Sequence, residues 1–267
     1  MKYFTLTKIV LFSVLLLPNI AFAQTEPESQ YFDSNGVRIR YIELGAGEPV
    51  IAVHGFSRNS DSWLKRVSGL AENHRLILFD ARGHGLSDKP HRASEYGKEM
   101  GRDIVRLMDH LEIDKTHIVG YSLGAWLVSW AITENESRFI SVVLGGGVPR
   151  WEWGNAQDRL TQQTYTRLIN SSPRQMAQLG NDGLDQIALA NVRLGQKDMI
   201  VTKQGLADLK APVLLIVGSE DPALEGIQDF KNTFPFMELN VIEGANHLST
   251  PERPEFLESI QDFISRN

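Results

Sequence analysis

The chain has 267 residues, 42% of them hydrophobic and 22% charged, which suits one large α/β domain with an insertion, or two small domains, and not a disordered chain. Its net charge of −6 comes without a basic stripe or a lysine-rich run, so nucleic acid is not expected as a partner. There is no cysteine, which excludes disulfides, a thiolate nucleophile, cysteine-held metal and a lipidated cysteine anchor.

Met1 to Ala23 reads as a leader. Lys2 and Lys8 give a positive start, Ile9 to Leu17 is apolar apart from Ser13, and Ala21-Phe22-Ala23 is an A-x-A site before Gln24. This is the pattern of a secretory signal peptide. The apolar run is too short for a membrane anchor, which needs about 20 residues. Cleavage after Ala23 is expected, with contact to the membrane only through the leader. Removal of two lysines and no acids would take the net charge from −6 to −8. An exported chain without cysteine fits a bacterial periplasm or exterior.

Tyr31–Asp33 and Val37–Leu44 alternate around Ser34-Asn35-Gly36 and predict a hairpin. Val50–Val53 is a continuous apolar run, as expected of a strand covered on both faces. It leads into His54-Gly55-Phe56 and a helix from Asp61 to Ala71. Leu76–Phe79 is a second buried strand, followed by the glycine-rich loop Asp80–Ser87. A helix from about Lys98 to Leu111 carries Met100, Ile104, Leu107, Met108 and Leu111 on one face.

Lys115–Val119 then predicts a short buried strand, and Ala125–Thr133 a helix. Between them lies Gly120-Tyr121-Ser122-Leu123-Gly124, a G-x-S-x-G sequence in the strand–turn–helix context such an elbow needs. Its serine would sit in a strained backbone conformation, with small residues demanded two positions either side. The first N–H groups of the helix would lie beside Ser122 and favour an anion there. Ile140–Leu144 is the next strand. Strands alternating with helices predict a mostly parallel, doubly wound sheet.

From Val148 to about Leu209 the pattern turns polar and helical, too long for an ordinary connection. Residues 148–209 are expected to form a small helical cap between two parts of a core domain, 24–147 and 210–267. Trp151, Trp153, Tyr165, Leu168, Met176 and Leu179 are expected to pack it onto that domain. The sheet resumes at Val213–Val217, which ends in Gly218-Ser219-Glu220-Asp221-Pro222. Leu239–Ile242 precedes Glu243-Gly244-Ala245-Asn246-His247, and Pro254–Ser265 closes the chain as a helix.

A serine hydroxyl needs a base to become a nucleophile. Six of the seven histidines precede Ser122. In the strand–elbow–helix architecture the partners follow in the order serine, acid, histidine, which selects His247. His247 needs an acceptor to set its tautomer. Asp221 is preferred over Glu220, which can point to solvent, and Glu243 is expected to be structural. The developing oxyanion needs two N–H donors, expected from Leu123 and Phe56. His54 is expected to orient its loop. Asp80, His84 and Asp88 could suggest metal, but zinc-site spacing is absent. No metal and no cofactor are expected.

These pieces together resemble the α/β-hydrolase superfamily: His54-Gly55-Phe56, Asp80-x-Arg82-Gly83-His84-Gly85-x-Ser87, Gly120-x-Ser122-x-Gly124, Gly218-x-x-Asp221 and His247. The resemblance covers the chain from about residue 30 to its end, apart from the cap. It implies the α/β-hydrolase fold and a cofactor-free hydrolase forming an acyl-enzyme on Ser122, with the Asp80–Ser87 loop mainly structural. Haloalkane dehalogenases and epoxide hydrolases of this fold use aspartate at the elbow, so serine disfavours both. Hydrolysis of a small carboxylic ester or lactone comes first. Carbon–carbon bond hydrolysis and cofactor-free perhydrolase activity use the same triad and stay open, as does a non-catalytic ligand receptor on the same scaffold.

Overall fold

The structure, a computed structural model, describes residues 27–179 and 183–267. The expected leader, Met1–Ala23, lies outside the described residues. Eight strands form one sheet: β1 (Gln30–Asp33), β2 (Arg38–Leu44), β3 (Pro49–Val53), β4 (Arg75–Phe79), β5 (Thr116–Tyr121), β6 (Phe139–Gly145), β7 (Val213–Gly218) and β8 (Glu238–Ile242), in the spatial order β1-β2-β4-β3-β5-β6-β7-β8. From β4 to β8 every pairing is parallel, and only β1 with β2 and β2 with β4 are antiparallel. The β1–β2 hairpin turns through Asn35 and Gly36, both at positive φ, with Ser34 and Val37 exchanging backbone hydrogen bonds.

Alternation along the strands splits the core in two. Val50, Ala52, Leu76, Leu78, Val119 and Val143 face α1 (Ser60–Val67) and α9 (Pro254–Ser265). Ile51, Val53, Ile77, Phe79, Ile118 and Val142 face α2 (Lys98–His110), α3 (Leu123–Asn135) and α8 (Leu224–Thr233). The sheet is therefore mostly parallel and covered on both faces.

Two helix boundaries differ from the sequence reading, and one helix is new. The helix expected over Asp61–Ala71 ends at Val67 and tightens into a 3₁₀ turn, Ser68–Glu72. The helix after Ser122 starts two residues early, at Leu123. Helix α8 had no counterpart in the sequence reading. It buries only Ile227 and Phe230, too few positions for a visible helical period.

Between β6 and β7 the described residues hold α4 (Asn155–Ile169), α5 (Pro173–Ala177), α6 (Gln186–Gly195) and α7 (Lys203–Ala207). Leu168, Met176, Leu189 and Ala190 form a small cluster that also takes Phe56 from the loop after β3. Ala188, Val192, Met199, Val201 and Leu206 join the main core instead. Trp151 stacks on Phe230, and Trp153 meets Trp126 of α3 edge-on.

Candidate active site

Ser122 caps the amino end of α3 at φ 55°, ψ −111°. Only close packing holds a serine there, and two glycines allow it. A Cβ on Gly120 would lie 2.5 Å from the carbonyl oxygen of Gly124, and one on Gly124 would strike the Val53 carbonyl. Ser122 N–H donates to Gly145 O at 2.8 Å, tying the turn to β6.

The three candidate residues come from the carboxyl ends of three parallel strands, where open α/β sheets place ligands. Ser122 follows β5, Asp221 follows β7 and His247 follows β8. The His247 Nε2 lies 3.0 Å from Ser122 Oγ, and its Nδ1 lies 2.8 Å from Asp221 Oδ2. Asp221 is buried and its other oxygen accepts the Ala223 N–H at 2.9 Å. A carboxylate at Nδ1 holds the proton on that nitrogen, leaving Nε2 as acceptor for the serine hydroxyl. Glu220 is exposed, and Glu243 accepts from the Ser219 hydroxyl at 3.2 Å. Tyr121 was not among the expected site residues. Its hydroxyl donates to His247 O at 2.7 Å and its ring lies 5.4 Å from the imidazole, so it positions the histidine loop. Burial raises the Tyr121 pKa, which keeps that hydroxyl a donor.

The two expected N–H donors flank the serine. The first helical bond of α3 runs from Trp126 N–H to Ser122 O, so the Leu123 N–H precedes it, as orphan amides at a helix start do. Opposite, the 54–56 loop packs on the nucleophile: a Cβ on Gly55 would sit 3.5 Å from Ser122 Cβ. The Gly55 carbonyl is held by His54 Nδ1 at 2.8 Å and by the Arg58 N–H at 3.2 Å. Because the peptide is planar and trans, fixing that carbonyl aims the Phe56 N–H the opposite way. His54 Nε2 accepts the Ala81 N–H at 3.1 Å. With Nδ1 donating to Gly55 and Nε2 accepting from Ala81, His54 is neutral, and burial lowers its pKa further.

The Asp80–Ser87 loop braces this loop from below. Asp80 accepts from Ser60 N and Oγ, both at 2.7 Å, and from Leu86 N at 2.7 Å. Arg82 pairs in the interior with Asp103, Nε to Oδ2 at 2.7 Å. His84 is buried against the His54 ring, and burial together with that neighbour takes its pKa down to about 3. Among the described residues no group of three or more His, Cys, Asp or Glu side chains could hold a metal ion.

Ser122 and His247 open into a cavity of about 360 Å³ that Phe56, Arg58, Leu179 and Arg193 also line. Arg193 was not expected from sequence. Its signal was a single cation inside the apolar run Ile187–Leu194. A second cavity, about 900 Å³, lies behind the Gly146-Gly147 wall and is lined by Trp126, Trp151, Trp153, Pro222 and Phe230. It is the larger of the two, but the reacting atoms open into the smaller one.

A family model described as the alpha/beta hydrolase fold matches residues 48–168. The 3-oxoadipate enol-lactonase 1 of Acinetobacter baylyi is 26% identical over 226 residues, covering 76% of this chain and 83% of that protein. The dihydrolipoyllysine-residue acetyltransferase component of the acetoin cleaving system of Cupriavidus necator is 34% identical over 116 residues, 43% of this chain and 31% of that protein's length. A solved carboxylesterase structure from the thaumarchaeon Nitrososphaera gargenis superposes with a TM-score of 0.77 at 21% identity, covering 89% of this chain and 98% of that one.

Proposed function

We propose, from the premise that this chain is an alpha/beta-hydrolase-fold protein, that it is an exported serine hydrolase cleaving a small carboxylic ester or lactone. The observation that carries the reading is the hydrogen-bonded series Ser122 Oγ, His247 and Asp221, with a strained serine at the start of α3. The Acinetobacter relative bears the name of an enol-lactonase and aligns over most of both chains, which favours an acyl-oxygen bond as the one cleaved.

In the reaction, Ser122 Oγ attacks the carbonyl carbon while its proton passes to His247 Nε2. Asp221 stabilises the imidazolium through Nδ1–H. The carbonyl oxygen gains charge between the N–H groups of Leu123 and Phe56, which are preset and cost no reorganisation. His247 then returns the proton to the leaving oxygen, and the acyl group stays on Ser122. Water, deprotonated by His247, attacks that acyl-enzyme and frees the acid and the serine. No step calls for metal or cofactor.

A fluorophosphonate tests the nucleophile. The native protein is expected to take up one phosphonyl group, on the peptide holding Ser122. A label elsewhere, or none, removes this reading. Export has its own check: protein recovered from a periplasmic fraction is expected to have the intact mass of a chain starting at Gln24. A full-length mass held in membranes argues for an uncleaved anchor.

A further inference from the structure

Arg193 stands at the end of α6 with its guanidinium 4.2 Å above the Phe56 ring, on the residue whose N–H is expected to meet the oxyanion. One donor reaches a neutral partner, Gln196 Oε1, at 3.2 Å. Its Nε is buried with no partner, and among the described residues no carboxylate pairs with it. Arg193 is part-buried, and a cation drawn away from water without a counter-charge is disfavoured. Arg193 is nonetheless one wall of the cavity that holds Ser122 and His247.

The surroundings reinforce the sign. Arg58, Arg66 and Glu252 line the same cavity. Arg66 is paired with Glu252, while Arg58 donates to the Leu179 carbonyl at 3.4 Å. Burial, and the nearby Arg167, lower the Arg193 pKa. A positive recess thus opens onto the serine in a chain of net charge −6.

We propose that Arg193 binds a carboxylate carried by the substrate, so that the hydrolase acts on small esters or lactones of dicarboxylic acids. The inference rests on the hydrolase reading above and names its substrate class. An anion in the cavity would give the Arg193 guanidinium the counter-charge it lacks. A carboxylate fits best, since a guanidinium offers parallel N–H donors to a planar pair of oxygens. With one end held there, the ester carbonyl is placed over Ser122, and positioning of this kind lowers the barrier to attack.

The test compares mono(4-nitrophenyl) glutarate with the neutral 4-nitrophenyl pentanoate. The native protein is expected to prefer the anion by at least about tenfold in kcat/KM, the worth of one charge-assisted hydrogen bond. Arg193→Met should remove that preference and Arg193→Lys should restore part of it. Equal kcat/KM for the two esters, or a ratio unchanged in Arg193→Met, overturns the proposal. A binding arm needs no turnover. Ser122→Ala protein should bind monomethyl glutarate at least tenfold more tightly than dimethyl glutarate by calorimetry, and Ser122→Ala/Arg193→Met should not. Absence of that difference also overturns the anion site, even in a protein that cleaves neutral esters. A binding difference in a protein that neither turns over esters nor takes the phosphonate would sink the hydrolase reading and leave the anion site standing.

Discussion

Along β5 every residue from Thr116 to Tyr121 is buried, whereas α4, with fifteen residues, buries only Leu168. The elbow after β5 and the stretch from 148 to 209 that holds α4 meet at the cavity of Ser122 and His247, where the latter contributes Leu179 and Arg193. The elbow is held by the main chain: β3 and β6 pair with β5 on either side, and the Gly120 and Gly124 backbones touch their neighbours. Reacting atoms placed there keep their geometry because moving them would disturb the sheet. Between 148 and 209, α4 is held by one buried side chain, whereas α6 is packed into the main core through Ala188 and Val192 and carries Arg193 to the cavity. A triad on the sheet with recognition on inserted helices would let the same chemistry serve different substrates.

The sharpest way to break the comparison is to alter the elbow chemistry without altering its packing. Ser122→Ala is expected to reduce ester turnover by roughly 10⁶, and adding His247→Ala should cost little more, because the residues act as a unit. Asp221→Asn is expected to cost on the order of 10⁴ by presenting the wrong histidine tautomer. Glu220→Gln, one residue away but exposed, should cost less than about twofold. Steady-state kinetics on one nitrophenyl ester checks all of these, and a larger loss for Glu220→Gln than for Asp221→Asn would overturn the acid assignment.

Stability separates the regions next. Arg82→Met leaves Asp103 buried without its main partner and is expected to cost about 3–5 kcal/mol in urea unfolding. In the insertion, Leu189→Ala removes a fully buried side chain and is expected to cost about 2–5 kcal/mol. If the insertion opens by itself, that loss will appear as faster hydrogen exchange confined to α4–α6 and not as a shift of the global midpoint. A midpoint shift as large as that of Arg82→Met would make the two regions one cooperative unit.

A pH series sharpens the same contrast. His84 is neutral in the fold, with a pKa near 3, and returns to the ordinary value of about 6.5 when unfolded. The unfolded chain then binds the extra proton, so this term is present above pH 6.5 and fades as pH falls toward 3. His84→Gln is expected to flatten that acid limb of stability. The smallest effect belongs to Leu160 on α4, which is 64% exposed: Leu160→Ser should change stability by no more than about 0.5 kcal/mol.

The central strands were legible in the sequence because each is a short apolar run bounded by turn residues, and β1 and β2 because they alternate around Ser34-Asn35-Gly36. The elbow was legible because its glycines answer a local backbone demand. Ser122 and His247 could be named from motif and chain order alone, since only one histidine follows the serine. Asp221 could be preferred over Glu220 from sequence, and only the fold sets its carboxylate against His247 Nδ1 while Glu220 is exposed. What the sequence could not carry was anything made by residues far apart: α8, whose two buried positions are too few to show a period, and Tyr121, whose hydroxyl meets a loop 126 residues away. Arg193 belongs to the same class. A lone arginine in an apolar helix reads as a surface residue until the fold sets it over Phe56 and beside the serine. Local backbone requirements leave a mark within a few residues, whereas the surroundings of a charge exist only once the chain has closed around it.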